Sequence, residues 1–392
     1  MAAGLQALRR LQGIIAAESA EIMRFIHEKQ GWPAFVWDDT EVLGALVDTR
    51  HRQGLLLGRM AGIGFDLREE AALHVLTSDV VGSAAIEGER LDGDLVRSSI
   101  ARRLGLPQGG VRRVPRDVEG FVEVMLDATR NASAPVTAVR LHGWHAALFP
   151  VGHSGTRPIA VGCWRPVEAG AMQVVSGPIG RERVHFEAPP AERVPEEMDH
   201  FLAWCEAPGP IDPVLRAAIA HFWFVTIHPF EDGNGRLARA IADLLLARAD
   251  GCPERFYSMS TQIETERRDY YRVLERVQRG DLDITPWLLW FLGCLSRAID
   301  GAGTLVDGVL RKADVWRSLA AGAPVNERQR SVINRLLDGF EGGLSTAKYS
   351  RMVKCSPDTA LRDIQDLVTR GVLVRNPGGG RSTSYRLADQ GA

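Results

Sequence analysis

The sequence predicts a mainly α-helical protein with one β-hairpin in its middle and a short helical domain at its C-terminus. Three observations support this fold class. Apolar residues recur at helical spacing along most of the 392 residues. Strand signals are few, and the clearest pair, at 173–176 and 184–186, flanks a Gly/Pro turn and predicts the hairpin. After about residue 300, three short helical stretches are followed by two short strands.

Helices are predicted on both sides of the hairpin. The stretch 68–87 places Leu73, Leu76 and Val80 at helical spacing, and Gly88 is expected to end it. The other predicted helices before the hairpin span 93–104, 116–131 and 138–147. Those after it span 195–204, 213–227, 236–249, 264–278 and 285–298.

The C-terminal region has the pattern of a winged helix. Its three helices are predicted over 327–338, 346–353 and 356–369, with Ser356 as an N-cap. Two strands, at 372–374 and 384–387, then surround a Gly-rich turn that would form the wing. We therefore divide the chain into a leader (1–20), an N-terminal helical domain (21–107), a core (108–300), a linker helix (301–325) and a winged-helix domain (326–392).

Composition excludes several classes of protein. Hydrophobic residues make up 45% and charged residues 24%, as in ordinary globular proteins, and a net charge of −2 argues against a chain coated by nucleic acid. The five cysteines are scattered and never in CxxC spacing, so neither a disulfide framework nor a thiolate zinc site is expected. No apolar run reaches the ~18 residues that span a membrane. These features predict a cytoplasmic protein without membrane contact.

The most informative stretch runs from residue 228 to 239 and reads HPFEDGNGRLAR. A predicted apolar helix is followed by a His-Pro pair and by a loop that contains two carboxylates and Gly-Asn-Gly. A new helix is predicted to begin after this loop. Gly233 and Gly235 let backbone N–H groups converge, and the helix N-terminus adds partial positive charge. The sequence therefore predicts an anion-binding nest.

The charged residues of this stretch indicate what it binds. Arg236 and Arg239 fall in the first turn of the predicted helix, where each cation costs about 0.3–1 kcal/mol unless an anion is present. A polyphosphate would supply that anion. Asp232 suits a Mg²⁺ ion that is also held by phosphate oxygens. His228 can accept a proton from a hydroxyl group at neutral pH.

The stretch resembles the motif H-P-F-x-D/E-G-N-G-R-x-x-R of the Fic family, whose members mostly transfer AMP from ATP to a Ser, Thr or Tyr hydroxyl of a target protein. The resemblance implies a helical Fic-type core with ATP as substrate. It implies His228 as general base, Asp232 as Mg²⁺ ligand and Arg239 as the γ-phosphate contact. The remaining phosphate-binding residues implied are Gly233, Asn234, Gly235 and Arg236.

A second motif lies near the end of the predicted helix 68–88. Ser83 and Glu87 are separated by one helical turn and Gly88 follows, which resembles the family's inhibitory helix, S/T-x-x-x-E-G/N. The resemblance implies that Glu87 pairs with Arg239 and keeps the γ-phosphate of ATP out of place. In some relatives this glutamate helps water to remove AMP, so AMP transfer and AMP removal both stay open.

The resemblance covers three further regions. The hairpin region 173–186 looks like the flap on which a target segment docks as an added strand, with a plain structural hairpin as the alternative. The docking residues implied are Gln173, Val174, Val175 and Ser176. Tyr270 and Tyr271 resemble the helix on the adenosine side, with simple core aromatics as the alternative. The run from Trp32 to Gly105 resembles an N-terminal domain that is often fused to Fic cores.

The sequence leaves the C-terminal domain and the partners open. The predicted recognition helix, 358–369, mixes acidic and basic residues, whereas the wing carries Arg375, Arg381 and Arg386. Both DNA contact and protein docking fit this pattern. A rival function is therefore a DNA-binding regulator whose core senses nucleotide, and transfer of another nucleotide or of phosphate is also open. The expected partners are a target protein with a hydroxyl side chain, the chain itself, and a second copy in a homodimer.

Overall fold

The structure is a computed structural model that describes residues 24–62, 65–106, 114–177, 181, 183–320, 324–337, 340, 342–377 and 383–388. The predicted leader, 1–20, lies outside these residues. By its internal contacts the chain divides into two compact units. The first consists of residues up to 63 and 68–302, and the second of 64–67 and 303–392.

The first five helices match the predicted ones closely where a prediction was made. They are α1 (Asp39–Ala61), α2 (Phe65–Ile86), α3 (Gly93–Arg103), α4 (Arg116–Arg130) and α5 (Ala138–Leu148). The side chains of Asp38 and Asp92 accept backbone N–H groups at the starts of α1 and α3. Gly88 follows the end of α2 with φ +86°, a left-handed conformation that glycine adopts without strain.

Two buried helices form the centre of the first unit. After α6 (Val194–Glu206), α7 (Pro213–Ile227) packs along α8 (Asn234–Asp250). Every described position of α7 from Val214 onward is buried except Arg216, because the helix is apolar on nearly all faces. Trp287 is fully buried against this centre and donates a hydrogen bond to the carbonyl of Ala218 at 2.8 Å.

The predicted hairpin is present. Strand β3 (Gln173–Ser176) pairs antiparallel with β4 (Arg183–Glu187), with an irregularity between Val174 and Val175. The predicted turn residues 178–180 lie outside the described part. Phe186 packs edge-on against Phe25 with ring centroids 5.2 Å apart, and so attaches the hairpin to the N-terminal segment. A shorter strand pair, β1 (His153–Ser154) and β2 (Arg157–Pro158), was not predicted, because two-residue strands leave no periodic signal.

Two predicted helix boundaries are wrong. The stretch 264–278 is not one helix but two, α9 (Met259–Thr265) and α10 (Arg267–Gln278), separated at Glu266 (φ −103°, ψ 22°). Arg297 binds the Glu266 carboxylate through two hydrogen bonds of 2.5 and 2.6 Å and fixes this break. The helix predicted to end at 298 continues as α11 (Thr285–Ala320). Its glycines cost only about 1 kcal/mol each, and the next proline is Pro324.

The second unit contains the three helices and two strands that the sequence predicts. They are α12 (Glu327–Leu337), α13 (Thr346–Val353), α14 (Pro357–Thr369), β5 (Leu373–Arg375) and β6 (Tyr385–Leu387). Its core is built from residues of all three helices and of β5, namely Val332, Ile333, Tyr349, Ile364, Leu367 and Leu373. Leu344 and Tyr385 exchange two backbone hydrogen bonds of 2.9 Å that join β6 to the segment before α13.

The cysteines and the hydrophobicity of the helices bear on disulfide bonds and on membrane insertion. All five cysteines are free thiols. None of the helices within the described ranges is both long and apolar enough to cross a membrane.

Candidate active site

The loop between α7 and α8 is held by its own residues. His228 ends α7 in a left-handed conformation (φ 53°, ψ 57°), and Gly233 precedes α8 with φ +79°. The buried side chain of Asn234 accepts a hydrogen bond from Phe230 N at 2.9 Å and donates one to Phe230 O at 2.8 Å. The Asn234 amide therefore closes the loop, and only its backbone N–H is left for the predicted phosphate cradle.

The ring of His228 is fixed in one orientation. Its Nδ1 lies 3.1 Å from the carbonyl oxygen of Val225, so Nδ1–H is the donor and Nε2 is the unprotonated nitrogen. Burial lowers the pKa of His228 and Arg165 lowers it further, against the opposing effect of the Val225 carbonyl, Glu87 and Asp232. The imidazole is therefore neutral near pH 7, and Nε2 can accept a proton.

Arg165 supports the loop from outside the motif. Its Nε donates to His228 O at 2.9 Å, its backbone N donates to Pro229 O at 2.8 Å, and its side chain also donates to Pro189 O. Arg165 is only 3% exposed. It thus links the His-Pro turn to the segment that follows β4. Sequence analysis missed this residue, since a lone arginine 63 positions away carries no signal.

The two carboxylates of the loop have different surroundings. Asp232 accepts a hydrogen bond from Ser154 Oγ and one from Gly233 N, the latter at 2.6 Å. Glu231 instead accepts from Ala160 N at 2.6 Å and is directed toward the β1–β2 region. Among the described residues no cluster of three or more acidic, His or Cys side chains could hold a metal by itself. Asp232 could thus contribute one ligand to an ion held mainly by other groups.

Two glycines at the start of α8 occupy positions where a Cβ atom would be too close to a neighbouring side chain. A Cβ atom at Gly233 would lie 2.8 Å from the ring of Phe149, and one at Gly235 would collide with the carboxylate of Glu87. The Glu87 carboxylate therefore lies directly over the first turn of α8. This is the position in which the sequence predicts an anion.

Arg239 is buried and contacts two residues of the S-x-x-x-E-G motif. Its Nε donates to Ser83 Oγ at 2.7 Å, and its Nη2 donates to Ser83 O at 2.9 Å and to Glu87 Oε1 at 2.8 Å. Burial disfavours the charged guanidinium, but Glu87 reverses this and raises the pKa of Arg239. The Glu87–Arg239 contact that the resemblance implies is thus formed, and Ser83 adds two hydrogen bonds that were not predicted. Because α8 begins at Asn234, Arg239 lies in its second turn and not, as predicted, in its first.

Arg236 has an anionic partner of its own. Its Nη1 lies 3.1 Å from Glu89 Oε2, and its guanidinium carbon lies 5.0 Å from the centre of the Phe149 ring. Within the described residues, the buried atoms Arg236 Nε and Arg239 Nη1 have no hydrogen-bond partner. Glu89 was missed, although its position two residues after Glu87 could have indicated a second contact.

The two tyrosines lie in different environments. Tyr270 is 1% exposed, and its hydroxyl lies 2.9 Å from His221 Nε2, among the rings of Trp287 and Trp290. These contacts favour the alternative of a core aromatic for Tyr270. Tyr271 is 38% exposed, and its hydroxyl lies 3.4 Å from the carbonyl of Ile86, within the S-x-x-x-E-G motif. Of the pair, only Tyr271 is accessible to a nucleotide.

The four predicted flap residues form strand β3. Val174 packs on the small apolar cluster of Phe25, Phe186 and Ala188, whereas Val175 is 47% exposed. Gln173 bonds to Glu187 across the hairpin at 2.6 Å, and Ser176 bonds to His185 at 2.6 Å. In the described part of the sheet, the outer edge of β3 carries no third strand. An edge of this kind can pair with an extended peptide.

Comparison with known proteins shows matches along most of the chain. Residues 135–246 match the model of the Fic/DOC family, and residues 25–106 match a domain of unknown function, DUF4172. A crystal structure of a Fic family protein from Desulfovibrio desulfuricans G20 has a similar fold, with a TM-score of 0.50 at 24% identity. The superposition covers 89% of this chain and 97% of that one.

Curated relatives match at higher identity. The chain is 34% identical over 224 residues to protein adenylyltransferase Fic of Nematostella vectensis and 34% identical over 155 residues to protein adenylyltransferase fic-1 of Caenorhabditis elegans. The matches cover 56% and 38% of this chain but 46% and 28% of those proteins, so the chain spans less than half their length. The loop 228–239 lies wholly inside the matched family region, and the chain therefore carries a domain of the Fic/DOC family.

Proposed function

We propose that this chain is a protein adenylyltransferase, which transfers AMP from ATP to a Ser, Thr or Tyr hydroxyl of a target protein. The observation that carries the proposal is the pair of arginines in the first two turns of α8, each of which keeps one donor without a partner. Arg236 Nε and Arg239 Nη1 are buried donors without partners among the described residues, and they follow His228, whose Nε2 is the unprotonated nitrogen, in the same loop-helix segment. Such donors favour a polyphosphate, and His228 favours proton transfer from a hydroxyl.

The proposed reaction follows from these positions. His228 Nε2 accepts the hydroxyl proton of the target while the hydroxyl oxygen attacks the α-phosphorus of ATP. The bond between that phosphorus and the bridging oxygen breaks, and pyrophosphate leaves with the bonding pair. Backbone N–H groups of Asn234 and Gly235 and the two arginines stabilise the phosphate charge, whereas the Gly233 N–H of the predicted cradle donates to Asp232. Most of the rate enhancement would thus come from positioning and electrostatics.

A Mg²⁺ ion fits the residues present. Asp232 is partly exposed and is oriented by Ser154 and by Gly233 N, which leave carboxylate lone pairs available. Mg²⁺ commonly takes one or two carboxylates together with phosphate oxygens and waters, and one carboxylate is what this loop offers. When bound, the ion would neutralise charge on the phosphate oxygens.

We further propose that Glu87 inhibits the transfer. Its carboxylate binds Arg239 and covers Gly235, so it competes with phosphate oxygens for the same donors. Glu89 contributes a second carboxylate, which binds Arg236 and is more exposed to solvent than Glu87. The γ-phosphate of ATP would then be displaced, and the α-phosphate misaligned for attack.

The second unit we interpret as a winged helix that docks on protein. Asp363 on α14, the helix in the recognition position, is bound by Arg328 at 2.9 Å and by the Tyr349 hydroxyl at 3.0 Å. Asp358 and Asp366 offset the exposed Arg362 on the same helix. A gel-shift assay at two salt concentrations tests the competing DNA contact.

One experiment tests the proposed activity. The full chain and its E87G, E87G/H228A and E87Q variants are incubated with ATP and Mg²⁺ and then analysed by intact-mass and peptide mass spectrometry. We expect AMP on the E87G chain and none on E87G/H228A. Equal labelling of these two would remove His228 as the base, and a different added mass would change the transferred group. AMP-modified chain is then offered to wild type and E87Q, since faster loss with wild type would indicate AMP removal through Glu87.

A further inference from the structure

A second constellation of nucleophile, base and carboxylate lies on the hairpin, outside the motif loop. Ser176 Oγ is 2.6 Å from His185 Nε2, and His185 Nδ1 is 2.8 Å from Glu275 Oε2. Ser176 is at the end of β3, His185 is on β4, and Glu275 is on α10. Neither the family motif nor the proposed nucleotidyl transfer uses any of these contacts.

The backbone and neighbouring charges fix this arrangement. Ser176 is paired with Arg183 in the strand register, and His185 is the extra, unpaired residue of β4 at the irregularity between Val174 and Val175. Arg279 donates to the carbonyls of Val184 and His185 at 2.6 and 3.0 Å, which attaches β4 to α10. Arg183 donates to the second oxygen of Glu275 at 2.7 Å. The two partners of the imidazole are thus held separately, Ser176 by the pairing of the strands and Glu275 by Arg183.

The protonation pattern suits proton removal from Ser176. Burial raises the pKa of Glu275, but hydrogen bonds from His185 and Arg183 more than offset this, and the pKa is held below its ordinary value. An ionised Glu275 accepts only, so in the neutral form of His185 the proton lies on Nδ1 and Nε2 accepts from the Ser176 hydroxyl. Hydrogen bonds in this order define an activated serine nucleophile.

We propose that Ser176 is a nucleophile that accepts an acyl group from small activated carboxylic esters. Ser176 Oγ attacks the ester carbonyl while its proton passes to His185 Nε2. The bond from the carbonyl carbon to the alkoxy oxygen then breaks, and that oxygen leaves as an alcohol with the proton from His185. The product is an acyl ester on Ser176, and Glu275 acts as a positioning residue through His185. Ser176 is exposed on the hairpin, so the ester can approach from solvent.

The reaction is tested with a fluorophosphonate probe and with p-nitrophenyl acetate, on the full chain and without ATP or Mg²⁺. We expect the probe on the Ser176 peptide and not on the peptide of Ser356, an exposed serine whose partner is Thr359. His185→Gln keeps a side chain that can bond to Glu275 but cannot act as a base, and should lower the labelling rate by roughly 10²-fold or more. Glu275→Gln should lower it too, with no further loss in the His185→Gln background.

The outcomes separate this inference from the proposed adenylyl transfer. Absence of label on Ser176, or an unchanged rate in a folded His185→Gln variant, would overturn the inference, and neither result bears on AMP transfer. Thermal unfolding of each variant establishes that it is folded. A Glu275→Gln effect that adds fully to that of His185→Gln would show that Glu275 stabilises the hairpin instead of positioning the base.

Discussion

Removal of the Glu87 carboxylate is the perturbation that the structure predicts most sharply. Arg239 is 2% exposed and Glu87 31% exposed, and their atoms are 2.8 Å apart. A hydrogen bond between charged groups contributes about 1.5–3 kcal/mol. Because each 1.4 kcal/mol is about tenfold, E87G should raise the rate of self-AMP transfer by roughly 10- to 150-fold. The unfolding free energy of the nucleotide-free chain should fall, since Arg239 would keep only its bonds to Ser83.

The assay follows incorporation of labelled AMP with time at saturating ATP and Mg²⁺. Glu70→Gln is the matched control for Glu87→Gln, because Glu70 lies in the second turn of the same helix, α2, without contact to the arginines. Glu89→Gln should give a smaller rise than Glu87→Gln, since the Glu89 side chain is 47% exposed and water screens its contact with Arg236. If E87G labelled itself no faster than wild type while binding ATP equally well, the competition between Glu87 and phosphate oxygens would be refuted.

Three further predictions concern the loop and the buried charges. His228→Ala should abolish transfer while ATP binding, measured by calorimetry, changes little, and an equal loss of binding would instead indicate a structural histidine. Gly235→Ala, made in the E87G background, should weaken ATP binding, because the added methyl group fills the space that the Glu87 carboxylate leaves. Burial and the charge of Asp243 raise the pKa of Asp79 from 3.8 to about 8, against Arg255 and the Ser258 hydroxyl. The folded state therefore binds this proton more tightly than the unfolded state, and the unfolding free energy should fall as pH rises from about 4 to about 8. Asp79→Asn should lose less stability over that range in chemical denaturation, and identical pH profiles would contradict the assignment.

Sequence reasoning located the motif loop because its spacing is local. His228, Asp232 and the two glycines all lie between positions 228 and 235, so their order alone predicts a base beside an anion site. Glu87 could be matched to Arg239, 152 positions away, only through the resemblance, and the structure supplies the 2.8 Å contact. Arg165, Ser154 and Phe149 could not be predicted, since each reaches the loop from a distant segment without a motif.

Some helix boundaries likewise depend on contacts with distant segments, which the local sequence does not reveal. The break at Glu266 depends on Arg297, which approaches from α11, and local propensity carries no information about that contact. The continuation of α11 to Ala320 shows that glycines alone do not end a helix. Tyr270 and Tyr271 are adjacent and similar in sequence, yet packing against Trp287 buries only the first.

Local patterns thus determined which segments are helical and predicted where an anion-binding loop lies and which residue can act as its base, because these features depend on residues within a few positions of one another. Only the tertiary structure decided that Glu87 covers Gly235, that Glu89 binds Arg236, and that Ser176, His185 and Glu275 meet. Those contacts join residues of separate elements, and their distances are set by the packing of helices and hairpin.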